Sequence, residues 1–166
     1  MQSQDIDQIY EEYASMIYKY LRILTNNDDI AEELTQETFF RAIRKINSFK
    51  GNCKISTWLC QIAKYSWYEY SKKNNKEKDS SLDHLENVLI DFDDMEQKII
   101  NKKYKMKIYE QIQYLDEDMK NVMLLRLTGD LSFEEIGQII NKSANYARVT
   151  YYRGKQKIRK VVKYNE

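Results

Sequence analysis

The sequence contains no proline, four glycines, two cysteines and one histidine among 166 residues. Proline breaks helices and glycine weakens them, so a chain with so little of either can form long, uninterrupted helices. No apolar run is long enough to cross a bilayer, and no secretory signal is present. These absences predict an all-α protein of the cytoplasm.

Residues suited to metal or catalytic chemistry are also few. Cys53 and Cys60 lack the spacing of a metal site, and the single His84 cannot complete a zinc site or a catalytic triad. The sequence has no glycine-rich phosphate loop and no candidate pair of nucleophile and base. It therefore predicts a protein without a metal, a cofactor, a small-molecule substrate or an enzymatic activity.

The net charge of +1 conceals a strong segregation of charge along the chain. Acidic residues outnumber basic ones by nine to two in residues 1–40 and by seven to one in residues 79–100. Basic residues outnumber acidic ones by ten to two in residues 41–78 and by fourteen to eight in residues 101–166. Two basic blocks favour two contacts with a polyanion. The acidic first block suits a basic protein partner, although a solvated helix face would carry the same charges.

Apolar residues at helical spacing predict helices over residues 6–25, 30–46, 55 or 56 to 73, 96–114 and 116–127. Residues 74–94 are polar and poorly periodic, as expected of a linker. The predicted organisation is two small helical domains joined by a flexible linker. We place the first domain at 1–75, the linker at 76–95 and the second domain at 96–166.

Residues 131–158 have the pattern of two short helices joined by a tight turn. Ser132 and Glu135 can form a capping box on the first helix, and Asn141 can end that helix in the left-handed conformation. Gly137 lies on the inner side, where a missing side chain lets two helices approach closely, and Ser143 can cap the second helix. The pattern predicts a helix-turn-helix that reads the major groove of DNA.

On the second helix of this unit, Ala147, Ile158 and either Thr150 or Tyr151 can face inward, which turns a basic and aromatic face outward. Side chains near the start of this helix suit base edges, and the later lysines and arginines suit phosphates. An ordinary amphipathic hairpin with a solvated basic face would share this run of charge. The candidate DNA contacts are Lys142, Asn145, Tyr146, Arg148, Val149, Tyr152, Arg153 and Lys155.

Six short motifs occur in order along the two domains: AEELTQETFFRA (31–42), FKG (49–51), STWL (56–59), IA (62–63), LDEDMKNVMLLR (115–126) and LSFEEI (131–136). Together they resemble the sigma factors of bacterial RNA polymerase, in particular the small extracytoplasmic-function group with two domains and a linker. The resemblance covers nearly the whole chain. It implies a transcription initiation factor, often of stress responses, that binds the β′ coiled coil and the β subunit of core RNA polymerase and directs it to promoter DNA.

The resemblance also assigns roles within the first domain. Helix 31–46 corresponds to the element that docks on the β′ coiled coil, although its acidic start also suits the dipole of the helix itself. Loop 50–55 and helix 56–73 correspond to the elements that melt and read the −10 promoter element, where cationic and aromatic side chains suit single-stranded DNA. The candidates for core-polymerase binding are Glu33, Gln36, Glu37, Phe39 and Arg41. The candidates for −10 DNA are Lys50, Asn52, Cys53, Lys54, Gln61, Lys64 and Tyr65.

Aromatic residues are frequent in helix 56–73. Trp58 is expected to pack inward, and at least one of Tyr65, Trp67 and Tyr68 is expected to belong to the core. Relatives often have Asn-x-x-x-Asp where this chain has Tyr65 and Glu69, so their −10 preference does not transfer.

The basic helix also departs from the family pattern. Thr150 stands where relatives often have arginine, so the −35 preference can differ. Gly154 replaces a common alanine and is expected to weaken this helix by about 0.5–1 kcal/mol.

The resemblance further implies an anti-sigma partner, in some systems membrane-anchored, that occludes the polymerase-binding surfaces. The alternative is a stand-alone helix-turn-helix regulator, which would bind operator DNA directly, usually as a symmetric dimer. That alternative leaves the first domain unexplained, and the chain shows no evident dimerisation heptads. Operator binding without polymerase would favour it.

Overall fold

The computed structural model describes residues 3–74 and 102–164. The α-helices in these residues are α1 (Ser3–Thr25), α2 (Asp28–Lys45), α3 (Ile55–Asn74), α4 (Lys102–Ile112), α5 (Glu117–Gly129), α6 (Phe133–Ile140) and α7 (Ala144–Tyr164), with a short 3-10 helix at Ile46–Ser48. Contacts divide the chain into two compact units, Met1–Asp79 and Ser80–Glu166. The all-α prediction is confirmed, while the predicted linker at 76–95 lies outside the described residues.

In the first unit, α1, α2 and α3 all pack against one another. Ile17, Leu21 and Leu24 of α1 are fully buried, together with Leu59 of α3. Burial of a side chain of this size contributes about 1.5–3 kcal/mol. This apolar core holds α2 and α3 side by side and leaves their outer faces accessible.

Three turns are made by asparagine or aspartate in the left-handed conformation. The φ angles are 51° at Asn26, 48° at Asp130 and 60° at Asn141. These residue types adopt this conformation more readily than other non-glycine residues. A chain poor in glycine and proline therefore ends α1, α5 and α6 with Asn or Asp.

A buried charge fixes the turn between α1 and α2. Arg22 is 1% exposed, forms an ion pair with Asp28 at the start of α2, and donates from Nη1 to Asn26 Oδ1 at 3.5 Å. A buried guanidinium without partners would cost several kcal/mol. Asn27 then caps α2 by accepting a hydrogen bond from the Ile30 N–H at 3.0 Å.

In the second unit, α7 packs against α4, α5 and α6. The helix predicted over 96–114 ends at Ile112, because Tyr114 lies in a turn and is 79% exposed. Its predicted start lies outside the described residues. No helix among the described residues is both long and apolar enough to span a membrane.

Gly154 is buried on the inner face of α7. A Cβ at this position would lie 3.0 Å from Met119 Cγ and Met123 Sδ. The glycine therefore lets α7 lie close to α5, which offsets part of the helix weakening expected from the sequence.

Candidate DNA and polymerase interfaces

The helix-turn-helix has each of the local features predicted for it. Ser132 Oγ accepts a hydrogen bond from the Glu135 N–H at 3.1 Å, and Glu135 Oε2 accepts one from the Ser132 N–H at 2.7 Å. Asn141 ends α6 in the left-handed conformation, and Ser143 Oγ accepts from the Tyr146 N–H at 3.0 Å. These contacts fix where α7 starts relative to α6.

Gly137 provides the close approach predicted for it, and the backbone that comes close is the turn leading into α7. A Cβ on Gly137 would lie 2.7 Å from the Lys142 carbonyl oxygen and 3.0 Å from the Ser143 carbonyl carbon. These are backbone atoms held by the turn, so they have little freedom to move. A side chain at residue 137 would push α7 away from α6.

The outward face of α7 is accessible as predicted. Ala147, Thr150 and Ile158 are at most 8% exposed and face the core, and Tyr151 is half-buried. The opposite face presents polar and aromatic side chains along two turns. The exposed candidates are Lys142, Asn145, Tyr146, Arg148, Val149, Tyr152 and Arg153, whereas Lys155 is half-buried.

The ring of Phe133 organises part of this face. Its centroid lies 5.5 Å from Arg148 Cζ and 4.5 Å from Arg126 Cζ, both within cation–π range. The ring also lies 6.3 Å from that of Tyr152. The Arg126 guanidinium donates to the Leu131 carbonyl at 2.7 Å and is held in place. Phe133 therefore orients Arg148, the central cation of the outward face.

Tyr146 makes a contact that sequence reasoning missed. Its hydroxyl donates to Asp118 Oδ2 at 2.8 Å, and this hydrogen bond is the main cause of a raised pKa of the Tyr146 hydroxyl. Asp118 lies 28 residues earlier, in the first turn of α5, so no local pattern could have revealed the pair. The bond ties α7 to α5 and engages a hydroxyl that the sequence had assigned to DNA.

On α2, the candidates for polymerase binding divide between surface and core. Glu33 and Gln36 are exposed, and Glu37 and Arg41 are half-buried. Phe39 is only 5% exposed and packs edge-on against Tyr10 with ring centroids 4.9 Å apart. Phe39 is thus a core residue, which corrects its placement among the surface candidates.

Two apolar residues on the outer face of α2 were missed. Phe40 is 54% exposed and Ile43 is 45% exposed. Their exposure was predictable from the sequence. Leu34, Thr38 and Ala42 share the inner face with Phe39, and successive residues of a helix point about 100° apart, so Phe40 and Ile43 turn away from that face.

On α3, aliphatic and small residues such as Leu59, Ala63 and Ser66 fill the core positions, and the large aromatic residues are half-buried or exposed. Ser66 is 2% exposed, whereas Tyr65 is 53% and Tyr68 is 61% exposed. Trp67 is half-buried and stacks on Tyr70 at 6.1 Å. The expectation that one of Tyr65, Trp67 and Tyr68 belongs to the core is therefore wrong.

The other −10 candidates lie on the loop before α3 and on α3 itself. Gly51 turns the loop with a φ of 72°. Burial raises the pKa of the Cys53 thiol and so favours its protonated form further. Trp58 is half-buried against Phe49, with centroids 4.9 Å apart. Lys50, Asn52 and Lys54 are exposed, and Cys53, Gln61 and Lys64 are half-buried.

Arg41 joins the two candidate sets of the first unit. Its Nε lies 2.6 Å from Glu37 Oε1 on α2, and its Nη2 lies 2.5 Å from Glu69 Oε2 on α3. Its Cζ lies 5.4 Å from the centroid of the Tyr65 ring. The structure thus places Arg41 in contact both with Glu37, a polymerase-binding candidate, and with Tyr65, a −10 candidate.

Comparisons with known proteins give one family match in each of the two units. Sigma-70 region 2 matches residues 9–77, and Sigma-70, region 4 matches residues 105–158. Similar curated proteins include the RNA polymerase sigma factor YlaC of Bacillus subtilis, 26% identical over 93% of this chain and 90% of its own length. The ECF RNA polymerase sigma factor SigW of the same organism is 28% identical over 92% of this chain and 86% of its own length.

Solved structures share the fold at low sequence identity. CnrH, in complex with the cytosolic domain of CnrY, has a TM-score of 0.76 at 13% identity, over 99% of this chain and 92% of that chain. The sigma factor RpoE of Bartonella quintana, in complex with the anti-sigma factor NepR, has a TM-score of 0.77 at 16% identity, over 98% and 99%. With region 2 in the first unit and region 4 in the second, the chain belongs to the sigma-70 family of RNA polymerase sigma factors, in its extracytoplasmic-function group.

Proposed function

We propose that this protein binds core RNA polymerase, places it on promoters through two DNA contacts and traps the melted −10 strand. The observation that carries the proposal is the accessible face of α7 in a helix-turn-helix whose two helices are both capped at their N-termini, which presents Arg148 and Tyr152 outward. Region 4 would read the −35 element with this face. Region 2 would hold the −10 strand with α3 and the loop before it. The protein has no catalytic role of its own in this scheme and works in the cytoplasm with the polymerase.

The outer face of α2 is the proposed polymerase contact. Glu33, Gln36, Phe40 and Ile43 are all exposed there, so acidic, amide and apolar groups share one strip. A partner surface with basic and apolar residues, such as a coiled coil, would complement it. Phe40, and not Phe39, is the proposed aromatic contact with the polymerase.

An anti-sigma protein is the proposed regulator. The sigma factor RpoE was solved in complex with the anti-sigma factor NepR, and CnrH in complex with the cytosolic domain of CnrY. We expect a comparable partner, anchored in the membrane or free, to cover the α2 strip and so compete with polymerase. Release of that partner would then start transcription in response to stress.

The test is assembly with core RNA polymerase of the host organism. Fluorescently labelled protein is titrated with core enzyme, and Phe40→Ala is compared with wild type. We expect saturable binding that Phe40→Ala weakens about 10-fold, as for a central aromatic contact. Absence of binding to core, together with tight binding of the free protein to its own upstream DNA, would favour the stand-alone regulator.

A further inference from the structure

Four side chains form a connected network across α2 and α3. Arg41 lies at its centre, bonded to Glu37 through Nε and to Glu69 through Nη2. The guanidinium also lies 5.4 Å from the Tyr65 ring. An arginine can hold two carboxylates and a ring at once because its planar fork carries several donors and a flat face, whereas a lysine cannot.

The network engages the carboxylate of Glu69. The pKa of Glu69 is lowered, first by the hydrogen bond from Arg41. Glu69 is therefore ionised, and its Oε2 already accepts a hydrogen bond from the Arg41 guanidinium. A carboxylate in this state has less capacity to accept a hydrogen bond from a base amino group, and its charge repels phosphates less.

The network also limits what Tyr65 can do. The Arg41 cation lies over one side of its ring, yet the residue is 53% exposed. Tyr68 is exposed one turn further along α3. Stacking of an unpaired base on such a ring is tolerant of sequence and is worth about 1–3 kcal/mol.

We propose that Arg41 is a positioning residue which, with Glu69, holds the Tyr65 ring as a stacking platform for an unpaired base of the melted −10 strand. The base at this position is thereby held by stacking and not selected by hydrogen bonds. The proposal rests on the function proposed above. It assigns Arg41 to the −10 interface instead of the polymerase interface. Glu69 affects base specificity because its carboxylate is bonded to Arg41 and so does not select a base itself.

The test uses holoenzyme assembled from the full chain and core polymerase on a promoter library randomised across the −10 element. Heparin-resistant complexes are counted and sequenced, and affinity for core is measured in parallel. Tyr65→Ala should lower the yield of complexes about 5-fold or more, and Tyr65→Phe, which retains the ring, should recover most of that loss.

Arg41→Gln is expected to change the base preference at one −10 position, which the loss of a purely structural contact would not change. It releases the Glu69 carboxylate, which can then accept a hydrogen bond from the cytosine amino group. We expect a new preference for cytosine at one −10 position, unchanged affinity for core, and loss of the preference in Arg41→Gln/Glu69→Ala. Arg44→Gln is the matched control, because it removes the same charge from α2 but contacts Phe40 instead of α3. Its base preference should equal that of wild type.

The outcomes separate the two proposals. A wild-type protein that neither binds core nor forms complexes contradicts the proposed function itself. Wild-type complexes whose yield and base preference do not change in Tyr65→Ala and Arg41→Gln overturn the inference alone. A loss of core affinity in Arg41→Gln with unchanged base preference would also overturn it and return Arg41 to the polymerase interface.

Discussion

The hydroxyl of Tyr146 lies 2.8 Å from Asp118 Oδ2, so the first turn of the recognition helix is hydrogen-bonded to the first turn of α5. The bond is solvent-exposed, and its loss should lower the free energy of unfolding by only about 0.5 kcal/mol. Its larger effect should be on the angle at which α7 enters the major groove. Tyr146→Phe is therefore expected to weaken transcription that depends on the −35 element while leaving urea unfolding almost unchanged. Equal transcription by both proteins from a −35-dependent promoter would show that the bond does not position α7.

Gly137 and Gly154 should respond differently to alanine. Gly137→Ala brings Cβ to 2.7 Å from a backbone oxygen, and the resulting strain of about 1–3 kcal/mol exceeds the helix-propensity gain of about 1 kcal/mol. Gly154→Ala meets flexible methionine side chains at 3.0 Å, which can shift. Urea unfolding followed by circular dichroism should show a clear loss for Gly137→Ala and a change under about 1 kcal/mol for Gly154→Ala. The reverse order would contradict this account of the turn.

Alanine substitutions of the adjacent residues Phe39 and Phe40 should have different effects, one on stability and the other on polymerase binding. Phe39→Ala empties a core position and should lower the free energy of unfolding by about 3–5 kcal/mol. Phe40→Ala should change it by about 0.5 kcal/mol or less, since the ring is exposed. Thermal unfolding and core-polymerase titration on both variants test the pair. A stable Phe39→Ala that has lost polymerase binding would restore Phe39 to the interface.

The helices and caps were predictable because they depend on residues close in sequence. The capping box of Ser132 and Glu135 and the left-handed Asn141 are local, and both occur as predicted. Side-chain partners across helices were not predictable. The Arg41–Glu69 and Tyr146–Asp118 contacts each join residues 28 apart, so they exist only once the helices have packed. Phe39 is an intermediate case, because its helical spacing from Leu34, Thr38 and Ala42 indicates the inner face, whereas the family resemblance listed it for polymerase binding.

Arg148 should contribute to −35 recognition because it is exposed and oriented by Phe133. A base contact of this kind is worth about 1–3 kcal/mol. Arg148→Ala should therefore lower −35-dependent transcription by roughly 5- to 100-fold and relax base preference at one −35 position. Arg159→Ala, an exposed arginine farther along α7, is the control and should weaken binding evenly across sequences. Unchanged −35 selectivity in Arg148→Ala would remove this residue from the interface.

The promoter-directing role is tested by run-off transcription by core RNA polymerase, with and without this protein, on the DNA upstream of its own gene and on a genomic promoter pool. We expect discrete transcripts that require both the protein and core enzyme and that start downstream of a common pair of −35 and −10 sequences. Binding of the protein to core enzyme with no transcript from any template in the pool would contradict the promoter-directing role.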